Sequence, residues 1–466
     1  MFKMLAIPRR ALTARCWTHA SRMYPNIGIA AREAMSHGSV RWTASSTTLN
    51  STVTNPEPNA PFATVNDLPI VGEDTRKISI GWDARTWSRF HNVWLRDHCR
   101  CPQCFHPITK QRLLDTFAIL PDLTPFNVTA TTDGLQVTWP DAHVSLYPWS
   151  WLKDNSYDPP LRNLEHDEKI LWGAKIAQSP PEVTYEEVMV ANEKGLHKWL
   201  DHVDKFGFCF VSGVPATPET TEELSRKIAF IRETQYGQFW DFTSDLAKGD
   251  TAYTTMALGA HTDTTYFTDP CGLQLFHLLS HTDGSGGASL LVDGFYVASI
   301  LKELHPEAYE VLSQVPVPAH AAGELSALYQ PSPTKGYPIL RHDPANNQLF
   351  QVRWNNDDRS VMNYIEPGMV DKWYDAIRLW HQGLQSPDSE YWVQLRPGTA
   401  VVIDNHRVLH GRSAFDGRRR MCGAYIGMDE FRSKLAVLRE KFGASHGTDG
   451  LPPDVGNGRN VWHNAL

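Results

Sequence analysis

A chain of 466 residues with a formal net charge of −8 and 41% hydrophobic residues is long enough for two to four domains and apolar enough to bury a core. The acidic balance argues against a nucleic-acid-binding surface, and no apolar run approaches the ~18 residues of a membrane span, so a soluble protein is expected. Seven cysteines, an odd number, do not suit a disulfide-stapled secreted scaffold and point instead to a reducing compartment or to metal.

In chain order, Lys3, Arg9, Arg10, Arg15, Arg22, Arg32 and Arg41 are set against a single acid, Glu33. An Arg- and Ser-rich, acid-poor start without a long apolar run predicts a mitochondrial transit peptide over residues 1–45. Residues 46–70, rich in Ser, Thr, Asn and Pro, read as a linker. Alternation in Lys77–Trp82 and Leu135–Trp139 predicts strands of a small β domain over residues 71–155. The polar, Pro-containing stretch Asp154–Asn163 reads as its boundary. Over residues 165–442, Tyr185–His202 and Asp371–Leu384 have helical apolar spacing. Phe206–Val211, Gly272–Leu279, Ser289–Val292, Ala400–Asp404 and Met421–Gly427 read as strands. Many short strands with turn signals predict a mainly β jelly roll decorated with helices. Residues 443–466 read as a flexible tail.

Four groups of residues carry chemistry. Cys99, Cys101 and Cys104 stand within six residues among polar neighbours, which core packing does not explain. Three such thiols suit a tetrahedral structural zinc, with His98, His106 and His143 available by type as the fourth ligand. His261-Thr262-Asp263 places two ligating side chains on one face of a strand or its exit, and a distant His410 completes a two-His-one-carboxylate set for Fe(II). Arg418-Arg419-Arg420 follows His410 and offers a cation to a dianionic co-substrate, with Arg419 in phase with Met421, Gly423 and Tyr425. Tyr236, Trp240, Tyr253 and Tyr425 could receive a quaternary ammonium, which is recognised by aromatic faces because it has no hydrogen to donate. Taken singly, each reads better as a core residue.

From Lys77 to Arg439 the chain resembles the γ-butyrobetaine hydroxylase and trimethyllysine dioxygenase family of Fe(II)/2-oxoglutarate oxygenases. The resemblance rests on Trp94-Leu95-Arg96-Asp97, Trp139-Pro140-Asp141-Ala142-His143, His261 to Phe267, Leu291-Val292-Asp293-Gly294-Phe295 and Val408-Leu409-His410-Gly411-Arg412. It implies a double-stranded β-helix (jelly roll) catalytic domain behind a small N-terminal zinc-binding β domain. It also implies zinc on Cys99, Cys101, Cys104 and His143, iron on His261, Asp263 and His410, and 2-oxoglutarate on Arg419. A trimethylammonium cage of Tyr236, Trp240, Tyr253 and Tyr425 is implied as well. Asn355 and Asn356 match a pair that helps hold the substrate's carboxylate end, and Asp241 with Asn356 is a candidate for the amino-acid end. His406 sits where relatives often carry Trp. The runs His261–Phe267 and Leu290–Tyr296, with the leader, resemble the branch that hydroxylates trimethyllysine at C3, the first step of carnitine biosynthesis, in the mitochondrial matrix. The alternatives are hydroxylation of γ-butyrobetaine, the last step of that synthesis, and a zinc-bearing binding protein without activity. Ascorbate as reductant, O2 as co-substrate and a homodimer are further implications of the resemblance.

Overall fold

The computed structural model describes residues 68–161, 169–243, 254–321, 331–332 and 336–443. The expected leader, nearly all of the expected linker, Tyr253 and the expected tail beyond Gly443 lie outside them.

Two three-stranded antiparallel sheets come first, formed by Ile70–Glu73, Lys77–Gly81 and Trp87–His91 and by Asn127–Thr131, Gly134–Thr138 and Val144–Tyr147. Period-two alternation turns Ile78, Ile80, Phe90, Leu135 and Val137 inward, where they meet Leu95, Trp139, Tyr147 and Trp151 in a core of their own. The short helix Asn92–Asp97 carries Trp94 to Asp97 and delivers the chain into the cysteine run. Tyr147 donates its hydroxyl to the Leu95 carbonyl, tying that helix to the second sheet.

The remainder is built on two sheets. The larger has the strand order Glu182–Thr184, Phe208–Ser212, Thr399–Asp404, Leu273–Thr282, Arg418–Ile426, Phe239–Thr243, antiparallel except for its first pair. The smaller has the order Leu258–His261, Val408–Arg412, Ser289–Asp293, Tyr391–Val393, all antiparallel. Alternation sorts their side chains into three clusters. Ala400, Val402, Leu273, Leu275 and Ile426 leave the large sheet outward, against helices Lys194–Phe206, Pro218–Ile228 and Met428–Gly443. Leu290, Val292 and Leu409 leave the small sheet outward, against helices Gly294–Leu304, Pro306–Gln314 and Val370–Leu384. Val401, Ile403, Leu278, Met421 and Tyr425 of the one sheet meet Leu291, Val408 and Tyr391 of the other between them. This is the expected jelly roll with helices. Cys209, Cys271 and Cys422 are fully buried in it, as packing residues.

Two predicted elements differ. The stretch Tyr185–His202 is not one helix but two, Tyr185–Met189 and Lys194–Phe206, because the backbone turns extended at Val190 (ψ 138°) and left-handed at Glu193 (φ +59°). The second helix then runs through Phe206, so the following strand begins only at Phe208, after Gly207 closes the helix at φ +77°.

The Leu291–Phe295 phrase is explained by packing. Asp293 and Arg407 form an ion pair with both side chains fully buried: Nε to Oδ1 is 3.0 Å and Nη2 to Oδ2 is 2.8 Å. Arg407 also donates to the carbonyls of Lys205 (2.8 Å) and Ile170 (2.6 Å). Asp293 accepts from the backbone N–H groups of Phe295, capping helix Gly294–Leu304, and of Trp172. Asp293→Ala leaves a buried guanidinium without its partner and is expected to lower unfolding free energy by about 3–5 kcal/mol, read by urea denaturation. A loss below about 1 kcal/mol would contradict this role.

Candidate active site and a second ligating cluster

Strand Leu258–His261 pairs with Val408–Arg412 so that His261 lies opposite His410. Their rings are 4.4 Å apart between centroids. Asp263 follows two residues after His261. Its Oδ1 lies 3.3 Å from His261 Nε2 and 3.8 Å from His410 Nε2. His261 Nδ1 donates to the Gly259 carbonyl at 2.8 Å, which leaves the Nε2 lone pair facing inward. Burial and the neighbouring His261 push His410 down to about 3, so it stays a neutral imidazole. Burial alone would raise the Asp263 carboxyl, but the two imidazoles and the Tyr425 hydroxyl hold it well below the usual carboxylate range. Two imidazole nitrogens and one carboxylate oxygen on a single side form the donor set of a divalent iron site with open positions.

The second oxygen of Asp263 is answered elsewhere. Oδ2 accepts from Gln274 Nε2 at 2.6 Å and from the Tyr425 hydroxyl at 2.7 Å. Gln274 and Tyr425 are register partners on adjacent strands, Leu273–Thr282 and Arg418–Ile426. Gln274 is a residue that sequence reasoning missed. Its only signal was a polar side chain within the apolar run at the start of the strand, Leu273 to Phe276.

A single cavity is lined by the triad, by Arg419, by the aromatic side chains of Tyr236, Trp240, Phe242, Tyr266, Phe276 and Tyr425, and by Asn355 and Asp358. The aromatic wall reaches the triad: Trp240 is 6.3 Å from Tyr425 and 5.8 Å from Phe276, and Phe276 is 5.1 Å from His410, between ring centroids. Trp240 can lie across the sheet because its register partner is Gly423, where a Cβ would come within 2.3 Å of the indole. Arg419 is buried, and neither an ion pair nor a side-chain hydrogen bond reaches its guanidinium among the described residues. Burial and the nearby Arg412 lower it to about 10, which still leaves it charged at neutral pH. A buried guanidinium of this kind requires an anion. Strand phase turns its neighbours away: Arg420 is exposed and pairs with Asp241, Nε to Oδ1 at 2.8 Å, and Arg418 is exposed. Asp241 is therefore not in the cavity, contrary to its place as a candidate for the amino-acid end. Asn355 lines the cavity, whereas Asn356 does not and accepts from Arg359 Nε at 3.1 Å. His406, where relatives often carry Trp, is buried with its Nε2 3.3 Å from the Pro270 carbonyl.

The cysteine run forms a second cluster. His143 Nε2 lies 3.5, 3.6 and 3.5 Å from the sulfurs of Cys99, Cys101 and Cys104. Ligand bonds of about 2.3 Å to sulfur and about 2.0–2.1 Å to nitrogen, set tetrahedrally, place sulfur and nitrogen roughly 3.5–3.6 Å apart, so the donor set fits zinc. Burial pushes the Cys99 thiol up to about 12, so three thiolates here require a cation among them. His98 stacks on Trp94 and bonds its carbonyl, and His106 accepts from the N–H groups of Ile108 and Thr109, so neither joins the cluster. Arg96 donates to Cys104 Sγ at 3.2 Å, and Asp141 Oδ1 accepts from the backbone N–H of His143 at 3.0 Å.

A jelly roll holding two histidines and a carboxylate on one cavity wall defines an Fe(II)/2-oxoglutarate-dependent oxygenase, and residues 163–425 match the taurine catabolism dioxygenase TauD/TfdA family. Residues 71–153 match the γ-butyrobetaine hydroxylase-like N-terminal family. A trimethyllysine dioxygenase of Meyerozyma guilliermondii is 44% identical over 381 residues, covering 78% of this chain and 94% of the relative. The mitochondrial trimethyllysine dioxygenase of Homo sapiens is 44% identical over 357 residues, covering 76% and 84%. The γ-butyrobetaine dioxygenase of Pongo abelii is 29% identical over 378 residues, covering 79% and 96%. The chain belongs to the γ-butyrobetaine hydroxylase and trimethyllysine dioxygenase family of Fe(II)/2-oxoglutarate oxygenases.

Tyr425→Phe keeps the aromatic ring and removes one donor from Asp263. It is expected to weaken Mn(II) binding at the triad about tenfold, measured by loss of the free-ion EPR signal. An affinity within about twofold of wild type would contradict the role given to this hydroxyl.

Proposed function

We propose that this chain hydroxylates N6,N6,N6-trimethyllysine at C3, the first step of carnitine biosynthesis, with O2 and 2-oxoglutarate as co-substrates and ascorbate as reductant. The observation that carries the reading is that one cavity is lined by the triad, by the buried cation of Arg419 and by an aromatic wall. The naming of relatives at 43–45% identity supports trimethyllysine over γ-butyrobetaine.

His261, Asp263 and His410 would hold Fe(II). With 2-oxoglutarate and O2, Fe(II) supplies the oxidising power to hydroxylate an unactivated C–H bond, yielding succinate and CO2. Arg419 forks onto the far carboxylate of 2-oxoglutarate and supplies the charge that this anion needs on leaving water. Tyr236, Trp240 and Tyr425, with Tyr253 as a further candidate, present ring faces to the trimethylammonium. Asp358 and Asn355 take the amino-acid end. Asn355 Nδ2 donates to Asp358 Oδ2 at 2.9 Å, and both residues line the cavity. Apart from Asp263, Asp358 is the carboxylate lining the cavity among the described residues, and an α-ammonium is the cation it would meet. Fixing both ends of the substrate chooses which carbon faces the metal.

Cys99, Cys101, Cys104 and His143 are assigned to a structural zinc in a domain of residues 71–155, preceding the oxygenase domain of residues 165–442. The Arg-rich leader over residues 1–45 and the naming of mammalian relatives as mitochondrial support a matrix location. Among the described residues no helix is long and apolar enough to cross a membrane. The resemblance supports a homodimer.

The test supplies purified chain with Fe(II), 2-oxoglutarate and ascorbate, offers each substrate separately, and reads succinate and hydroxylated product. The expected result is turnover of trimethyllysine and little of γ-butyrobetaine. Turnover of γ-butyrobetaine alone would assign the other branch, and no succinate with either would favour the binding-protein reading. Metal analysis of chain purified without chelators is expected to give one zinc per chain, lost in His143→Ala together with thermal stability. Zinc retained in that variant would sink the assignment.

A further inference from the structure

We infer that Asn405 is a positioning residue that holds the Asp263 carboxylate in place by clamping its backbone, an inference that rests on reading His261, Asp263 and His410 as a metal site. Asn405 is 1% exposed and spends its whole side-chain amide on this task. Its Oδ1 accepts from the Asp263 N–H at 2.7 Å, and its Nδ2 donates to the Asp263 carbonyl at 3.0 Å and to the Cys271 carbonyl at 2.9 Å. One side chain thus answers both polar backbone groups of the triad's carboxylate residue.

The backbone beside Asp263 is under strain. Thr264 is β-branched, buried and in the left-handed region at φ +56°, where such residues are outliers. A strained residue persists only where its surroundings over-determine it. Asn405 supplies that restraint on one side of the strained peptide. On the other, Thr264 Oγ1 accepts from the Cys271 N–H at 2.9 Å. Both restraints converge on Cys271, which is fully buried and lies two residues before strand Leu273–Thr282, the strand carrying Gln274.

Asn405 also fixes the triad's two halves relative to each other. It sits in the turn from strand Thr399–Asp404 into strand Val408–Arg412, where the Arg407 N–H bonds the Asp404 carbonyl at 3.0 Å. The second of these strands carries His410. The Asn405 N–H donates to the Gly272 carbonyl at 2.8 Å, anchoring the turn. Released from Asn405, the Asp263–Thr264 peptide relaxes, and Oδ1 loses its aim between the two imidazoles.

The test is a double-mutant cycle on Mn(II) affinity, read by EPR of the free ion, because imidazole and carboxylate suit Mn(II) while the thiolate cluster does not. Asn405→Ala is expected to weaken binding about tenfold or more, the range in which outer-shell changes act. Thr264→Gly relieves the left-handed strain, at the loss of the Oγ1 bond to the Cys271 N–H, so in that background Asn405→Ala is expected to cost less than about threefold. Thr221→Val, which deletes a buried hydrogen bond to His277 away from the cavity, is expected to lower Tm with Mn(II) affinity unchanged. Asn405→Ala binding Mn(II) as wild type does, or an equal loss in both backgrounds, overturns the inference. Wild-type chain that takes up no Mn(II) overturns the triad reading and this one with it. Should Asn405→Ala not fold, Asn405→Asp carries the same test, since it keeps the acceptor for the Asp263 N–H and loses both donated bonds.

Discussion

A carboxylate taken out of water must be answered on both of its oxygens, and much of this fold is arranged around answering one. Asp263 gives Oδ2 to Gln274 and Tyr425 and turns Oδ1 toward His261 and His410. The four partners come from three strands and the end of a fourth, in two different sheets. They converge because side chains alternate along a strand. Gln274 points inward while Leu273 and Leu275 point outward, and His410 points inward while Leu409 points outward. The same alternation that builds the outer hydrophobic layers delivers the polar groups to the centre.

Two buried arginines show how charge separates structure from function. Arg407 is spent on structure: Asp293 takes two of its five N–H donors and two backbone carbonyls take two more. Arg419 is nearly as buried and faces the cavity without an acidic partner among the described residues. The first holds helices and sheet together, and the second is the cation we assign to the co-substrate's carboxylate. The two ligating clusters divide in a similar way. Three sulfurs and an imidazole close a tetrahedron, whereas two imidazoles and one carboxylate leave a side open to chemistry.

Ligating residue types were legible in the sequence, because three closely spaced thiols and a His-x-Asp tripeptide are short-range patterns. The jelly roll was legible in outline from its short alternating strands. Local sequence alone did not say which of His98, His106 and His143 closes the cysteine cluster. That depends on a chain reversal that brings residue 143 back to residue 99. The phase of strand Arg418–Ile426 separated Arg419 from its neighbours, as alternation predicts. Asp241 was misplaced because its partner, Arg420, lies on an adjacent strand and draws it to the outer face. Gln274, Asn405 and Asp358 went unnoticed for a related reason. Each acts on a partner or a cavity that exists only after folding, and none belongs to a residue type that signals metal or catalysis by spacing alone. The break at Glu193 escaped because apolar periodicity continues across it while the backbone does not.

We propose that one cavity receives an anion on Arg419 and a trimethylammonium on the aromatic wall, on either side of a metal. A crystal structure of the Mn(II) form, grown anaerobically with 2-oxoglutarate and trimethyllysine, tests this most directly. The account predicts a ligand carboxylate within about 3 Å of the Arg419 guanidinium. It also predicts the trimethylammonium against the faces of Tyr236, Trp240 and Tyr425. Density that places the quaternary ammonium beside Asp358, or leaves Arg419 without a carboxylate, would contradict it.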